Sequence, residues 1–335
     1  MTNIINVAVV GAGAFGRNHA RVYHELSGQD PSVKLAAIVD SDLARAEAIA
    51  REHNAHAYSS IDQLVQNEKI DAASVAVPTV HHLDVATKLM EAGIDVLIEK
   101  PLAATLEEAD ALVALGGRLG RIGQVGHLER FNPAVRATLP LITHPMFFEV
   151  HRLSVFTPRS LDVDVVLDLM IHDLDVVLAF VNSPVKEIRA VGLPILSGKV
   201  DIANVRMEFD SGCVANLTAS RVSTERIRKL RFFQPGQYIS IDYGRQDVIV
   251  FSVGGAANPA SIPSVNPQIS MGKPGVTAEE PLHAELKSFL DCVRRRSQPL
   301  VSLAEGRRAL AVAIEIVAVI AQHNQRLRLE HPGTK

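Results

Sequence analysis

Apolar positions along the chain follow two different rhythms, and the change between them predicts two domains. In the first part, short apolar runs alternate with stretches of helical periodicity, beginning with a run at 6–10 and a helical stretch to about residue 26. This alternation is typical of βαβ units around a doubly wound parallel sheet of the Rossmann type. We expect this dinucleotide-binding domain to cover residues 1–123.

In the second half, strand-like runs succeed one another without helices between them. After a helical pattern over 162–180 they fall at 187–193, 205–209, 214–220, 230–234, 238–242 and 248–253. Such successions form antiparallel sheets. The pattern predicts an α+β domain over 124–335 with a large, mainly antiparallel sheet, serving substrate binding and oligomerisation. Helical patterns at 285–295 and 304–325 close the chain, and the last helix can pack on either domain.

The segment 254–281 interrupts this pattern. Its four glycines and five prolines disfavour regular structure. A loop of this length is either a simple surface excursion or a segment that covers the site or reaches a partner subunit.

A glycine-rich turn follows the first strand and opens the first helix. In Gly11-Ala-Gly13-Ala-Phe-Gly16, the first glycine permits the tight turn, the second lets a pyrophosphate approach the backbone, and the third lets helix and strand pack closely. The helix N-terminus also attracts phosphate. We expect Gly11, Gly13, Ala14, Phe15 and Gly16 to bind a dinucleotide. The same turn also occurs in flavin-binding and S-adenosylmethionine-binding proteins.

Asp40 ends the second strand, 27 residues after Gly13. A carboxylate there accepts hydrogen bonds from the ribose hydroxyls and repels a 2′-phosphate, so it favours NAD over NADP. In the alternative interpretation, Asp40 or a neighbouring residue caps the next helix.

Composition narrows the classes of partner. The formal net charge of -3 provides no basic field for nucleic acid or an anionic membrane. The only cysteines, Cys213 and Cys292, lack the spacing of a zinc site and are expected to be reduced thiols. Because no signal peptide and no long apolar run are recognisable, we expect a cytoplasmic protein.

Three further stretches carry a family resemblance. Pro78-Thr-Val-His-His82, Glu99-Lys100-Pro101 and Asp168-Leu-Met-Ile-His172 follow the glycine-rich turn in an order that resembles the Gfo/Idh/MocA oxidoreductases over essentially the whole chain. The resemblance implies an NAD-dependent dehydrogenase of a CH–OH group, with an often cis peptide bond before Pro101. It also implies that Lys100 reaches the substrate hydroxyl beside the nicotinamide. Further cofactor contacts are implied for Pro78, Thr79, His82, Glu99, Lys100 and Pro101, with His82 lining the pocket.

The predicted catalytic residues are Lys100, Asp168 and His172. Asp168 and His172 are four residues apart, so they share one face of a helix. Imidazole titrates near neutrality, which suits His172 as the base that removes a hydroxyl proton while hydride leaves the same carbon. Asp168 would bind the substrate, and Lys100 would hold the reacting oxygen. Whether Lys100 or His172 takes the proton stays open. A metal site is the alternative interpretation of Asp168 and His172, although this chemistry needs no metal.

Substrate contacts are implied by the resemblance for Lys100, Asp168 and His172 and for the stretch that begins the second domain, with His127, Arg130, Phe131 and Asn132. Arg152 and Arg159 follow shortly after. Guanidinium groups bind phosphate oxygens bidentately, so these arginines would suit the diphosphate of a sugar nucleotide. They could equally be ordinary surface residues.

The stretches around 126–133 and 168–175 resemble those of family members that oxidise the C3 hydroxyl of UDP-N-acetylglucosamine, whose product an aminotransferase converts towards a lipid A precursor. Val165 to Leu167 replace the Gly-Gly that many simple-sugar members carry there. Two alternatives remain: a dehydrogenase of a free polyol or aldose such as myo-inositol, and an inactive NAD-responsive regulator. Since one face of an antiparallel sheet would stay uncovered, we expect a homodimer or homotetramer.

Overall fold

The computed structural model describes residues 4–157, 163–254 and 268–326. The first sheet is parallel and has the strand order β3-β2-β1-β4-β5-β6. Its strands are Ile5–Val10 (β1), Val33–Val39 (β2), His56–Tyr58 (β3), Ala72–Val75 (β4), Asp95–Glu99 (β5) and Gly123–Gly126 (β6). Its helices are Ala14–Gln29 (α1), Leu43–His53 (α2), Ile61–Asn67 (α3), His82–Glu91 (α4) and Leu106–Leu119 (α5). The predicted doubly wound sheet is confirmed, and its strand order reverses between β1 and β4, where such folds bind their ligands.

Local sequence explains where these elements begin and how they pack. The central strands are apolar throughout because both faces of a parallel sheet are covered, and Val7, Ala8 and Val9 of β1 are all fully buried. Ser60 caps α3 and Thr105 caps α5, each accepting a hydrogen bond from a backbone N–H in the first turn.

The second sheet has eight strands in the order β14-β13-β12-β11-β7-β10-β9-β8. They are Phe147–Val155 (β7), Val185–Leu193 (β8), Ile202–Phe209 (β9), Val214–Ser223 (β10), Ile227–Gln234 (β11), Gln237–Asp242 (β12), Asp247–Gly254 (β13) and Gln268–Gly272 (β14). Strands β7 and β10 run parallel, and the other neighbouring pairs run antiparallel. The predicted large, mainly antiparallel sheet is confirmed.

Helix α7, Ile171–Val181, packs on one face of this sheet, and a π-helical turn, Val166–Met170, leads directly into it. The remaining α-helices of the described chain are Pro133–Thr138 (α6), Pro281–Arg295 (α8) and Leu303–Arg326 (α9). On the covered face, Phe148 of β7 stacks on Phe232 of β11 with ring centroids 5.2 Å apart. Phe180 of α7 meets Phe232 edge-on at 5.8 Å. Aromatic packing therefore anchors α7 to the sheet.

The chain divides into two compact units whose limits differ from the predicted boundary after residue 123. The first unit comprises residues 1–131 and 279–311, and the second comprises 132–278 and 312–335. The boundary moves because β6 pairs with β5. Helix α8 joins the first unit because Leu286 and Phe289 belong to the same buried cluster as Tyr23 and Leu26 of α1. Helix α8 and the first part of α9, up to Ala311, therefore depart from the predicted second domain.

Three short or polar strands were absent from the sequence prediction. They are β3, β7 and β14, and β14 corrects the expectation that 254–281 lacks regular structure, because it pairs with β13. Residues 255–267 of that segment lie outside the described part of the chain. Cys213 and Cys292 are both buried free thiols. None of the described helices is both long and apolar enough to traverse a bilayer.

Candidate active site

The glycine-rich turn between β1 and α1 has the geometry of a phosphate-binding loop. Gly11 has φ +99°, and a Cβ there would lie 2.5 Å from the carbonyl oxygen of Ala76. A Cβ on Gly16 would lie 1.7 Å from the carbonyl oxygen of Gly11. A Cβ on Gly13, by contrast, would meet no protein atom within 4 Å. Folding therefore requires Gly11 and Gly16, whereas Gly13 leaves the backbone open to the pyrophosphate of NAD.

A cavity of about 670 Å³ lies against this turn. Six predicted cofactor residues line it, namely Gly11, Gly13, Ala14, Phe15, Asp40 and Pro78. Sequence reasoning missed other lining residues, including Ser41, Arg45, Ser59, Ser60, His81 and Asp84. Ser41 is the second residue after β2, so its position next to a predicted strand end could have identified it. Ser59 follows β3, a strand that the sequence pattern did not reveal. The volume falls in the usual range for cofactor sites, and the residues fit NAD.

The structure separates Asp40 from the helix cap next to it. Its Oδ2 accepts a hydrogen bond of 2.7 Å from the backbone N–H of Ala12 in the glycine-rich turn. Asp42, not Asp40, caps α2, because its side chain accepts from the N–H of Arg45. Asp40 therefore ties the end of β2 to the phosphate-binding turn and faces the cavity, where a ribose-binding carboxylate is needed.

Two adjacent histidines follow β4, and only His82 was predicted to line the cofactor pocket. His81 lines the cavity, whereas His82 is buried. The ring of His82 lies 3.0 Å from the carbonyl oxygen of Val77 through Nε2 and 3.0 Å from that of Pro101 through Nδ1. Burial lowers the pKa of His82 below its usual value. His82 is not among the residues that line this cavity, and it braces the loop that carries Lys100.

Lys100 lies at the end of β5, and its peptide bond to Pro101 is cis, as the resemblance implies. Glu99 beside it is buried and accepts a 3.2 Å hydrogen bond from the backbone N–H of Lys100. The cavity at the glycine-rich turn is not lined by the other predicted cofactor residues, namely Gly16, Thr79, His82, Glu99, Lys100 and Pro101. Cofactor contacts by these residues stay predictions.

A buried hydrogen-bond chain behind Lys100 was not predicted. His19 Nε2 lies 2.8 Å from Glu99 Oε1, and His19 Nδ1 lies 3.0 Å from Ser74 Oγ. Ser74 Oγ in turn lies 2.9 Å from the hydroxyl of Tyr23. Burial alone would raise the pKa of Glu99, but the His19 hydrogen bond and the charges of His19 and Lys100 outweigh it and lower that pKa. A carboxylate is thus held ionised next to Lys100.

Asp168 and His172 lie in the second unit, on either side of the change from π-helical turn to α-helix. Asp168 belongs to the turn, and His172 is the second residue of α7. Both are half-buried. π-turns inside helices are rare and frequently mark functional sites. Of the regular helix expected over 162–180, the part at 166–170 is π-helical and α7 forms the rest from residue 171. Residues 158–162 lie outside the described chain.

Arginines predicted for a substrate diphosphate have partners within the protein. Arg152 is buried and forms two hydrogen bonds with Asp173 of α7, of 2.6 and 3.0 Å. Arg130 is also buried and lies 3.7 Å from Glu305. A carboxylate therefore already offsets both charges, contrary to expectation. Arg159 lies outside the described residues.

The predicted substrate stretch after β6 is also buried. His127, Phe131 and Asn132 are each at most 2% exposed. Asn132 donates to the carbonyl oxygen of Tyr243 and caps α6. Burial, with the charges of Lys100 and Arg130, lowers the pKa of His127 to about 3. Asn132 therefore has a structural role, and substrate contact by the three side chains stays a prediction.

Comparison with known proteins is informative over the whole chain. Residues 5–127 match the profile of the oxidoreductase family GFO_IDH_MocA, NAD-binding Rossmann fold, and residues 118–234 match the GFO/IDH/MocA C-terminal domain. A UDP-N-acetylglucosamine 3-dehydrogenase of Acidithiobacillus ferrooxidans is 34% identical, over 96% of this chain and 99% of that protein. A scyllo-inositol 2-dehydrogenase (NAD(+)) of Bacillus subtilis is 28% identical, over 94% and 93%.

Solved structures agree with these matches. The Acidithiobacillus ferrooxidans UDP-N-acetylglucosamine 3-dehydrogenase superposes with a TM-score of 0.86 at 32% identity, covering 95% of this chain and 98% of that one. A levoglucosan dehydrogenase in complex with NADH and levoglucosan has a TM-score of 0.83 at 18% identity, covering 96% and 98%. The second likeness establishes the fold alone.

Proposed function

The chain belongs to the Gfo/Idh/MocA family of oxidoreductases, and on that premise we propose that it oxidises the C3 hydroxyl of UDP-N-acetylglucosamine to the 3-keto sugar nucleotide. It is an NAD-dependent dehydrogenase that acts on a CH–OH group. The observation that supports this choice of substrate is the match to a UDP-N-acetylglucosamine 3-dehydrogenase along nearly the full length of both chains.

Roles for the chain's own residues follow from their chemistry. Gly13 would hold NAD at its pyrophosphate and Asp40 at its ribose, and the cofactor would supply the hydride acceptor. Lys100 donates to the reacting oxygen and stabilises the negative charge that develops there. His172 takes the hydroxyl proton, and Asp168 hydrogen-bonds the substrate. The ionised Glu99 and its partner His19 fix the backbone from which Lys100 extends.

The product is a ketone beside the N-acetyl group of a nucleotide sugar. Because oxidation of this alcohol by NAD is uphill, a following reaction must remove the product. Transfer of an amino group to C3 fits that requirement, and a partner aminotransferase would direct the sugar towards a 3-amino lipid A precursor. The expectation of a cytoplasmic enzyme belongs to the same proposal.

A free inositol is the second candidate substrate. The B. subtilis scyllo-inositol 2-dehydrogenase also matches nearly the whole chain. The engagement of Arg130 with Glu305 and of Arg152 with Asp173 favours it as well, because a neutral polyol needs no free cation. No specific observation favours the hypothesis of an inactive NAD-responsive regulator, since Lys100, Asp168 and His172 are all present.

Association into a homodimer or homotetramer is part of the proposal. Opposite the helices, the second sheet carries a row of aromatic rings: Phe147, Phe233, Tyr238 and Phe251, with neighbouring centroids 5.0 to 5.8 Å apart. Ile269 and Met271 of β14 continue the row and are 72% and 64% exposed. A second copy with the same row would bury these rings by self-complementary packing.

Replacing the proposed catalytic groups tests the mechanism. Lys100→Met and His172→Asn should each lower kcat for UDP-N-acetylglucosamine by about 10²- to 10⁴-fold, because each removes a proton-transfer or charge-stabilising group. Affinity for NADH should stay within about threefold of the wild-type value. Lys88→Met and His144→Asn, two exposed residues of the same types, are the controls. Undiminished turnover in either catalytic variant would contradict its assigned role.

A further inference from the structure

A second cavity, in the unit that carries Asp168 and His172, has a markedly cationic lining. Its volume is about 570 Å³, and it lies where β11 begins and β12 ends. Its lining comprises Glu225, Arg226, Ile227, Arg228, Lys229, Asp242, Gly244 and Arg245. The lining residues thus include four cationic and two acidic ones. The three arginines are exposed to solvent.

Pairing in the sheet connects this cavity to the start of α7. Arg228 of β11 lies directly opposite Arg152 of β7, so both side chains leave the same face of the sheet, the one that α7 covers. Arg152 is bound to Asp173, the residue after His172. The Arg152 guanidinium lies 5.2 Å from the ring centre of Tyr243, whose backbone N–H donates to the carbonyl oxygen of Arg228. The cavity and the proposed base therefore lie at the same end of the sheet.

The charge of this cavity is only partly offset. Lys229 lies 3.8 Å from Asp242. Within the described ranges, no carboxylate oxygen lies within 4 Å of the guanidinium of Arg226 or Arg245. Arg130 and Arg152, by contrast, each have an acidic partner. Cations gathered in a concave site attract an anion, and guanidinium groups bind phosphate oxygens with good geometry.

We propose that this cavity binds the diphosphate of a nucleoside-diphosphate sugar, with Arg226 and Arg228 as its main ligands and Arg245 as a further cation. This assignment rests on the proposed function, because a neutral polyol would have no use for it. It replaces the diphosphate site predicted from Arg130, Arg152 and Arg159. The volume is within the range of small-molecule sites and exceeds what a single phosphate needs.

A double variant, Arg226→Gln with Arg228→Gln, tests the proposal in the full-length protein. Glutamine keeps hydrogen-bonding capacity and removes the charge. The KM for UDP-N-acetylglucosamine and the inhibition constant of UDP should both rise by about 10²-fold, because two charge-assisted contacts are lost. The Kd for NADH should not change, and the salt dependence of KM should become shallower. Arg231→Gln is the matched control, since Arg231 lies on the same strand but pairs with Glu149 at 3.2 Å.

The outcomes separate the site from the function. If the wild-type enzyme oxidises the UDP-sugar and the double variant keeps the wild-type KM and UDP inhibition, the diphosphate site is wrong and the function stands. If the wild-type enzyme neither oxidises a UDP-sugar nor is inhibited by UDP, both are wrong. Should the double variant fail to fold, Arg226→Gln and Arg245→Gln, each at an exposed side chain, should raise both constants about tenfold, and unchanged constants would overturn the site.

Discussion

At the scale of single residues, the three glycines of the phosphate-binding turn have separable tasks. Gly11 and Gly16 are required by contacts with Ala76 and with each other, whereas the space beside Gly13 holds no protein atom within 4 Å. Gly13 also has φ -73°, which any residue adopts. A methyl group at Gly13 would therefore obstruct a ligand without disturbing the fold.

We predict opposite effects for two alanine substitutions. Gly13→Ala should leave the melting temperature of the ligand-free protein nearly unchanged but raise the Kd for NADH at least about tenfold. Gly16→Ala should destabilise the ligand-free protein by about 1–3 kcal/mol, because a carbonyl oxygen occupies the site of the new methyl group. Thermal unfolding and NADH fluorescence titration measure both. Loss of stability in Gly13→Ala with unchanged NADH affinity would contradict this division.

His127 should make stability depend on pH in a defined window. Its folded-state pKa of about 3 lies below the unfolded value of about 6.5, so below pH 6.5 the unfolded chain binds the extra proton. Stability attributable to the neutral ring is complete above pH 6.5, and about 2 kcal/mol of it should be lost by pH 5. The groups acting on it are Lys100 and Arg130, which oppose protonation, and Glu99 and Glu305, which favour it.

Urea unfolding at pH 7 and pH 5 measures this loss. His127→Asn should flatten the pH dependence by about 2 kcal/mol, whatever its overall stability, because asparagine does not titrate. His144→Asn, at an exposed position, should keep the wild-type slope. Equal slopes in the wild type and His127→Asn would show that His127 is not held neutral.

Sequence analysis found site residues where the signal is local and missed them where it is not. Gly11, Gly13 and Asp40 follow from motif spacing and strand ends. The contact of His19 with Glu99 joins residues 80 positions apart, and no sequence pattern around either residue predicts it. The charge of Arg152 was visible, but the partner that offsets it, Asp173, comes from a helix whose position depends on tertiary packing.

At the scale of elements, one buried ion pair ties α7 to the sheet. Arg152 of β7 and Asp173 of α7 have side chains only 4% and 2% exposed. This contact adds to the packing of Phe180 on Phe232 and fixes the helix turn that carries His172. Buried pairs of this kind add little net stability, but removing one partner is costly.

Replacing one partner of this pair should therefore be severe. Asp173→Asn should lower the free energy of unfolding by about 3–5 kcal/mol, because a guanidinium stays buried without its carboxylate. The double variant Arg152→Met with Asp173→Leu should recover much of that loss. Glu149→Gln, which breaks the more exposed pair with Arg231, should cost at most about 1 kcal/mol. Chemical denaturation measures all three, and equal costs for Asp173→Asn and Glu149→Gln would contradict the assignment.

Element prediction failed for particular physical reasons. β7 places Arg152 and His151 in its middle, so its apolar alternation is broken, although the position of Arg152 is buried. β14 lies among glycines and prolines and is held by pairing with β13 alone on one side. The helix over 162–180 was correctly located, but its π-turn depends on packing that periodicity does not show.

At the scale of the whole molecule, each of the two compact units is built from two separate stretches of the chain. Residues 279–311 belong to the first unit, although in the sequence they follow all eight strands of the second sheet. Gly306 of α9 permits this return, because a Cβ there would lie 2.5 Å from Val125 of β6. The two patterns of apolar positions in the sequence indicate two domains of different architecture. The packing of 279–311 on the first unit depends on long-range contacts, which no local sequence pattern reveals.

The aromatic row on the second sheet leads to a prediction about assembly. The wild-type protein should have the mass of a dimer or tetramer by multi-angle light scattering, and Phe251→Glu with Met271→Glu should reduce that mass, because charges would be buried among aromatic rings. Leu196→Glu, at another exposed apolar position of the same unit, should keep the wild-type mass. A monomeric wild type, or an unchanged mass in the double variant, would contradict this surface.

The central claim is the oxidation of a UDP-sugar with NAD. The most direct measurement follows NAD reduction by its near-ultraviolet absorbance in the presence of UDP-N-acetylglucosamine, UDP-glucose, myo-inositol or scyllo-inositol, with an aminotransferase and amino donor to consume a 3-keto product. We predict reduction with UDP-N-acetylglucosamine and none with either inositol. Reduction with an inositol alone would preserve the fold and the NAD site and would contradict the proposed substrate.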